Sequence, residues 1–231
     1  MNRKYPGYLI TFEGPEGGGK SFIVRGVAEE LENLGLSALT LIEPGGTEIG
    51  DIIRALLFDI RYSEIMSHKT ETWLFQASRA QICHEQVWPA LREGGIILLD
   101  RFTDSSVVYQ GYARGLGCGK VARMNSWSTG GLVPDLTILL DLDVKLGIKR
   151  KKGQGEVNRL DNEEISFHER VRHAYRTLAL TDINHSENPR WVIVNAEGPK
   201  EEVRTKVVEI VEGRLIREGL LEGNRVSAER R

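Results

Sequence analysis

The chain has few cysteines, no long apolar run and almost no net charge, and each shortage excludes a class of protein. Two cysteines, Cys83 and Cys118, in 231 residues make neither a disulfide framework nor a metal-type spacing, and the five histidines are scattered. A secreted disulfide scaffold and a zinc module are therefore excluded. No apolar stretch approaches the roughly 20 residues that span a bilayer. The N-terminal residues run straight into a strand-like segment, without the apolar core of a signal peptide or the Arg- and Ser-rich helix of a transit peptide, which leads us to expect a cytoplasmic protein with no membrane partner. A net charge of −2, from 31 basic and 33 acidic residues, gives no general field for gripping polymeric nucleic acid. A nucleotide-sized anion needs only a local positive site.

What is present fits one soluble α/β domain, with 40% hydrophobic and 28% charged residues in a chain of ordinary domain length. Near-continuous apolar runs at Tyr8–Glu13, Ala38–Ile42, Ile96–Asp100, Leu136–Asp141 and Trp191–Asn195 read as strands buried on both faces. Helical periods separate them at Ser21–Leu34, Thr47–Phe58, Ser67–Arg92, Asp143–Lys151, Asn162–Ile183 and Pro199–Glu218. This alternation predicts a parallel sheet with crossover helices. Residues 1–218 are expected to form the domain, and the polar, aperiodic stretch 219–231 a disordered tail. Lys149–Arg159 reads as a loop with five basic residues.

The strongest local signal is Gly14-Pro15-Glu16-Gly17-Gly18-Gly19-Lys20-Ser21, a G-x-x-x-x-G-K-[ST] motif lying between a predicted strand and a predicted helix. Its glycines let backbone N–H groups curl around phosphates at a helix N-terminus. Lys20 is placed to reach the β- and γ-phosphates, and the Ser21 hydroxyl to ligate Mg²⁺. Such loops also serve GTPases and motors. An N-K-x-D element and a strand ending in Asp-Glu, the companions expected in those classes, are both missing. The third strand instead ends Asp100-Arg101, which puts a carboxylate suited to Mg²⁺ and a guanidinium suited to a second phosphate where open α/β sheets bind ligands.

Taken together with Glu43-Pro44-Gly45-Gly46-Thr47, Leu74-Phe75-Gln76-Ala77-Ser78-Arg79, Asp100-Arg101-Phe102-Thr103-Asp104-Ser105-Ser106 running on to Tyr109-Gln110-Gly111, and Asn158-Arg159-Leu160-Asp161, the loop resembles the bacterial thymidylate kinase family from Leu9 to about Glu218. The resemblance implies a three-layer P-loop kinase fold with a five-stranded parallel sheet in the order 2-3-1-4-5, a homodimer, and transfer of phosphate from ATP to dTMP. It implies an acceptor site of Glu16, Phe75, Arg79, Arg101, Ser105, Ser106, Tyr109 and Gln110. Within that site Phe75 stacks on the base, Arg79 donates to a base carbonyl, Glu16 contacts the sugar 3′-hydroxyl and Tyr109 lies beneath the sugar. It also implies a cis peptide bond between Glu43 and Pro44. Phe75 and Arg79 are four residues apart on a predicted helix and so share a face.

Some members of the family carry an arginine in the P-loop, a position filled here by Pro15, Glu16, Gly17 or Gly18. Compensating positive charge is expected from a lid at 149–159, with Arg150 and Arg159 as catalytic residues alongside Lys20 and Arg101. Ile42 stands where the family usually has arginine, and Ser106 where several members have asparagine. Two alternatives stay open on sequence alone: a kinase for another deoxynucleoside monophosphate or a deoxynucleoside, and a P-loop protein that binds nucleotide without turnover.

Overall fold

The computed structural model describes residues 5–153 and 158–222. Strands β1 (Tyr8–Glu13), β2 (Ala38–Ile42), β3 (Ile96–Asp100), β4 (Leu136–Asp141) and β5 (Trp191–Asn195) form one parallel sheet in the order β2-β3-β1-β4-β5. All five match the apolar runs residue for residue. The central strands β1, β3 and β4 are buried along their whole length. β2 departs from the expectation, because it lies at the sheet edge with β3 as its one neighbour, and Leu39 and Ile42 are each 38% exposed.

Pleating sends alternate residues of β1 to opposite faces. Tyr8, Ile10 and Phe12 pack with α1 (Lys20–Asn33) and α9 (Lys200–Arg217) through Ile23, Val27, Leu31, Val207, Val211 and Leu215. On the other face Leu9 joins Ile97 and Leu99 against Ile82, Val87 and Leu91. Beside it Thr11 and Thr137 satisfy one another through a buried 2.9 Å hydroxyl contact. A third cluster joins Leu139 and Trp191 to α8 (Ile165–His185) through Phe167, Val171 and Tyr175.

The segment expected as one helix from Ser67 to Arg92 is a rod in three parts. α3 (His68–Ile82) runs into a π-helical turn, Cys83–Val87, and then into α4 (Trp88–Arg92). The wide turn lies just ahead of Pro89, which has no N–H to donate to the ladder. Cys83 sits inside it, buried. α2 (Glu48–Phe58) is capped by the Thr47 hydroxyl, which accepts from the Gly50 N–H.

Between β3 and β4 the chain forms helices that no apolar period announces: α5 (Thr103–Ser106), a π-helical run Val107–Ala113, and α6 (Cys118–Thr129). Four glycines fall between positions 111 and 119. One of them, Gly111, packs so tightly that a Cβ there would lie 3.0 Å from the Cys118 Cα. Helix is imposed here by contacts with α3 and α8, against weak local propensity.

Two other expectations shift at their edges. The first four lid residues, Lys149–Lys152, are the last turn of α7 (Val144–Lys152), and 154–157 lie outside the described residues. The chain also stays packed past Glu218, since Leu221 is buried in the α1/α9 core; 223–231 lie outside the described residues. Among the described residues no helix is long and apolar enough to cross a membrane.

Parallel register brings Phe12 level with Asp100, Ile42 level with Asp100, and Glu13 level with Leu139. The carboxyl ends of β1, β2 and β3 therefore open onto one crevice, where the P-loop meets α7 backbone to backbone. Gly17 has φ +75°, and a Cβ on it would stand 2.2 Å from the Gly147 carbonyl oxygen; a Cβ on Gly147 would stand 2.4 Å from the Glu16 carbonyl oxygen. Gly147→Ala is predicted to cost about 1–3 kcal/mol through overpacking, and to weaken nucleotide binding by displacing the loop. Thermal denaturation with nucleotide titration checks this, and wild-type values in both would show that α7 yields freely.

Candidate active site

The P-loop connects β1 to α1, whose N-cap residue Gly19 is left-handed at φ 78° and offers no side-chain cap. The N–H groups of Phe22 and Ile23 donate to the Gly19 carbonyl, and those of Lys20 and Ser21 ahead of them suit an anion. Lys20 folds back over the loop, and its Nζ donates to the carbonyls of Pro15 (2.9 Å) and Gly14 (3.2 Å). Burial first, then the nearby Arg101 charge, bring its pKa down to about 8. The Ser21 hydroxyl donates to Asp100 Oδ2 at 2.7 Å, so the two candidate Mg²⁺ ligands are already adjacent.

Past Asp100 the backbone turns at Arg101, the one non-glycine residue with positive φ (+68°) among the described residues. The Phe12 carbonyl accepts its N–H at 3.0 Å. Its Nη1 donates to the hydroxyls of Ser105 (3.2 Å) and Tyr175 (3.1 Å), and its Nη2 to Glu16 Oε1 (3.1 Å). The same Glu16 oxygen accepts from the Tyr109 hydroxyl at 2.6 Å, and His168 Nδ1 stands 3.6 Å from Glu16 Oε2. Burial would raise the Glu16 carboxyl, but His168, Arg101, Lys20 and Tyr109 outweigh it and hold the group far below the usual carboxylate range. Glu16 is thus an ionised carboxylate in a nearly dry site.

Arg79 lies deeper, 1% exposed. Its donors go to Glu43 Oε2, the Ser106 hydroxyl, Asn125 Oδ1 and the Phe102 carbonyl, with the Glu43 contact doubled at 2.7 and 2.8 Å. Four of the five guanidinium N–H groups therefore donate to acceptors inside the protein, which leaves little donor capacity for a base carbonyl. The Glu43–Pro44 bond is cis, as the resemblance implies.

These groups line a cavity of about 450 Å³ that reaches from Ser21 and Lys20 at one end to Phe75, Arg79, Ser106 and Gln110 at the other, with Glu16, Asp100, Arg101, Ser105 and Tyr109 between. Gly17 and Gly19 line it as well, whereas Gly14, Pro15 and Gly18 contribute backbone behind the lining. Two expected catalytic residues stand outside it. The Arg150 guanidinium donates to the carbonyls of Ala196 and Glu197 at 2.7 Å, on the loop after β5. Arg159, 3% exposed, donates to the Leu57 carbonyl (2.9 Å) and to Glu71 Oε2 (2.5 Å). Of the basic lid residues described, Lys151 lines the cavity.

Other lining residues gave less notice. Arg54 on α2 donates to the Pro44 carbonyl at 2.7 Å with its guanidinium 4.8 Å from the Phe58 ring centroid. Its four-residue spacing from Phe58 on a predicted helix was the available signal. His168, Tyr175 and Asn125, which brace lining residues without lining the cavity themselves, carry none in the sequence, since each reaches the site through contacts more than 40 residues away in the chain.

Comparison with known proteins agrees with this geometry. Residues 12–207 match the family model for thymidylate kinase. The thymidylate kinase of Bacillus cereus strain AH187 is 41% identical over 212 residues, covering 91% of this chain and 99% of the relative. That of Geobacillus thermodenitrificans strain NG80-2 is 40% identical over 211 residues, covering 90% and 91%. That of Bacillus mycoides strain KBAB4 is 42% identical over 212 residues, covering 91% and 99%. A parallel sheet ordered 2-3-1-4-5, a P-loop opening onto a two-ended cavity, and similarity over nine-tenths of the sequence have one reading: the chain belongs to the thymidylate kinase family.

Proposed function

We propose that the two ends of the cavity hold the two substrates of one direct transfer. The chain is a nucleoside monophosphate kinase that moves the terminal phosphoryl group of ATP to dTMP, giving ADP and dTDP. The observation that carries this reading is the single cavity joining Lys20 and Ser21 of the P-loop to Phe75 and Arg79, with Arg101 midway. Phosphoryl transfer asks a protein mainly for in-line positioning and for positive charge around the migrating group.

At the donor end, the loop N–H groups and the start of α1 receive the phosphates, and Lys20 exchanges its carbonyl partners for phosphate oxygens. At the acceptor end, Arg101 holds the dTMP phosphate. Glu16 accepts from the sugar 3′-hydroxyl, Tyr109 lies under the sugar, and Phe75 stacks on the base. Ser105, Ser106, Gln110 and Arg79 complete that end, with Arg79 shaping the base pocket through Glu43 and Asn125. Ser21 and Asp100 fit a Mg²⁺ ion, since both offer hard oxygens at the phosphate end. Mg²⁺ ordinarily takes only one or two carboxylates and completes its shell with substrate phosphates and water. When bound it would neutralise charge on the transferred phosphates. Arg150 and Arg159 retain a catalytic role only if the 149–159 segment rearranges around bound ATP, because both guanidinium groups have protein partners in this arrangement.

Steady-state assays with MgATP across the four common nucleoside monophosphates and thymidine test the reaction. dTMP is expected to give the highest kcat/KM, and a better acceptor elsewhere would overturn the assignment. In the same assay Lys20→Ala is expected to lose about 100- to 1,000-fold in kcat, the usual effect of removing one charge contact from a transition state.

The acid–base state of the acceptor site gives a second test. His168 faces the carboxylates of Glu16, Asp161 and Glu163. Burial lowers its pKa, but these partners, Glu16 first, raise it above the ordinary imidazole value. Its ion pair contributes full stability below about pH 6.5, the unfolded value, and loses it as pH rises through the folded value. The melting-temperature advantage of wild type over His168→Gln should therefore be greatest near pH 6 and shrink toward pH 9. A gap that widens with pH would reverse the proposed pairing.

We also propose a homodimer. Ile52 on α2 is 67% exposed and Trp73 on α3 is 55% exposed, with Ile49 and Leu56 beside them on α2, and apolar side chains of this size in one patch favour burial against another surface. Sedimentation equilibrium should give twice the chain mass for wild type and a shift toward monomer for Ile52→Glu. A monomeric wild type would exclude the dimer.

A further inference from the structure

Tyr175 lies within α8, fully buried, and the sequence gives no hint of a role for it. Its hydroxyl oxygen is 2.7 Å from Ser105 Oγ, and both oxygens are hydrogen-bonded to Glu13 Oε2, at 2.8 Å from Tyr175 and 2.6 Å from Ser105. Each hydroxyl has one proton and two lone pairs. With the protons engaged within this triangle of oxygens, lone pairs of both hydroxyls are turned toward Arg101, whose Nη1 donates to the two of them.

The other oxygen of Glu13 holds the main chain of the same region. Oε1 accepts the N–H of Phe102 at 2.8 Å and that of Ser105 at 3.3 Å, directly after the left-handed turn at Arg101. One buried carboxylate thus fixes Arg101 at both ends, through its backbone turn and, across two hydroxyls, through its guanidinium. The Tyr175 ring is itself held edge-on to Tyr109, with centroids 6.2 Å apart. The phenol also stays neutral, because burial and the Glu13 charge raise its pKa well above the ordinary tyrosine value.

We infer that Tyr175 is a positioning residue for the acceptor phosphate: its hydroxyl, oriented by Glu13, sets the plane of the Arg101 guanidinium so that the donors facing the cavity meet the phosphate. The inference rests on the reading of Arg101 as the phosphate ligand. Without these two acceptors Glu16 is the guanidinium's remaining hydrogen-bond partner among the described residues, with the Tyr109 ring centroid 5.2 Å from it, and the acceptors that set its plane are gone. Oriented donors would then be lost while the charge remained.

The test is a double-mutant cycle on dTMP affinity by isothermal titration calorimetry, which needs no turnover, using wild type, Tyr175→Phe, Arg101→Ala and the double variant. Tyr175→Phe keeps the ring and is expected to weaken dTMP binding about 5- to 10-fold with ATP affinity unchanged, and Arg101→Ala to weaken it further. The double variant should bind no worse than Arg101→Ala alone, since Tyr175 acts through a group no longer present. Should Tyr175→Phe fail to fold, Ser105→Ala carries the same cycle. Multiplicative losses, or wild-type affinity in Tyr175→Phe beside a weakened Arg101→Ala, would overturn the inference alone. Wild-type affinity in Arg101→Ala would overturn the phosphate assignment, and the inference with it.

Discussion

The proposed acceptor half of this enzyme depends on a backbone conformation that its residue disfavours. At φ +68° Arg101 occupies the left-handed region, which costs a non-glycine residue about 1–3 kcal/mol and persists only where neighbours over-determine it. Here they do so from two sides. The Phe12 carbonyl takes the Arg101 N–H, and the Glu13 carboxylate takes the next one, on Phe102. Both anchors belong to the last two residues of the central strand. The P-loop leaves that strand one residue later, so the proposed donor and acceptor sites are built from one short length of main chain and cannot drift apart independently.

Around this turn the protein buries an unusual amount of charge. The side chains of Arg79 and Glu43 are 2% and 3% exposed, those of Arg159 and Glu71 3% and 0%. Such pairs contribute little net stability, because desolvation offsets most of their attraction, yet losing one partner costs about 3–5 kcal/mol. Their value here is geometric. Glu43 and Arg79 tie the turn after β2 to α3 and, through Ser106 and Asn125, to α5 and α6. Glu71 joins α3 to Gln110, Arg114 and Arg159, so one carboxylate fastens the rear of the cavity to the segment following 157. A hydrophobic substitute could match the energy but would lack the directional bonds that hold these elements in register.

The sequence was most legible where burial is most uniform. Runs such as Ile96–Asp100 and Leu136–Asp141 lie in the middle of a parallel sheet, where both faces demand apolar residues, and their ends could be read to the residue. The P-loop was legible for a similar reason, since its glycines answer to steric limits acting within a few residues. The helices between Thr103 and Thr129 were not, because no local period specifies them; α3, α8 and the Glu13 carboxylate impose them from outside. Site residues divided the same way. Lys20, Ser21, Asp100 and Arg101 follow from position alone, whereas Tyr175, His168 and Asn125 enter through contacts that no spacing records. Arg150 and Arg159 show the converse hazard: a basic, glycine-containing stretch reads as mobile charge, but both guanidinium groups are engaged by carbonyls or by Glu71.

The π-helical turn in the long rod has a consequence for the chemistry of the protein's sulfur. It faces Cys83 into the core beneath β3, 2% exposed, where burial and the neighbouring Glu43 charge raise the thiol pKa well above the ordinary value. The thiolate is the species that alkylating agents and oxidants attack, so burial and the raised pKa both shield Cys83 at neutral pH. Cys118, half-buried at the first residue of α6, is left as the reagent-accessible sulfur. A maleimide or a spin label added to the unmodified protein would therefore settle at one place, on the helix whose Asn125 braces Arg79, and would read out from there how firmly the Arg79 end of the cavity is held.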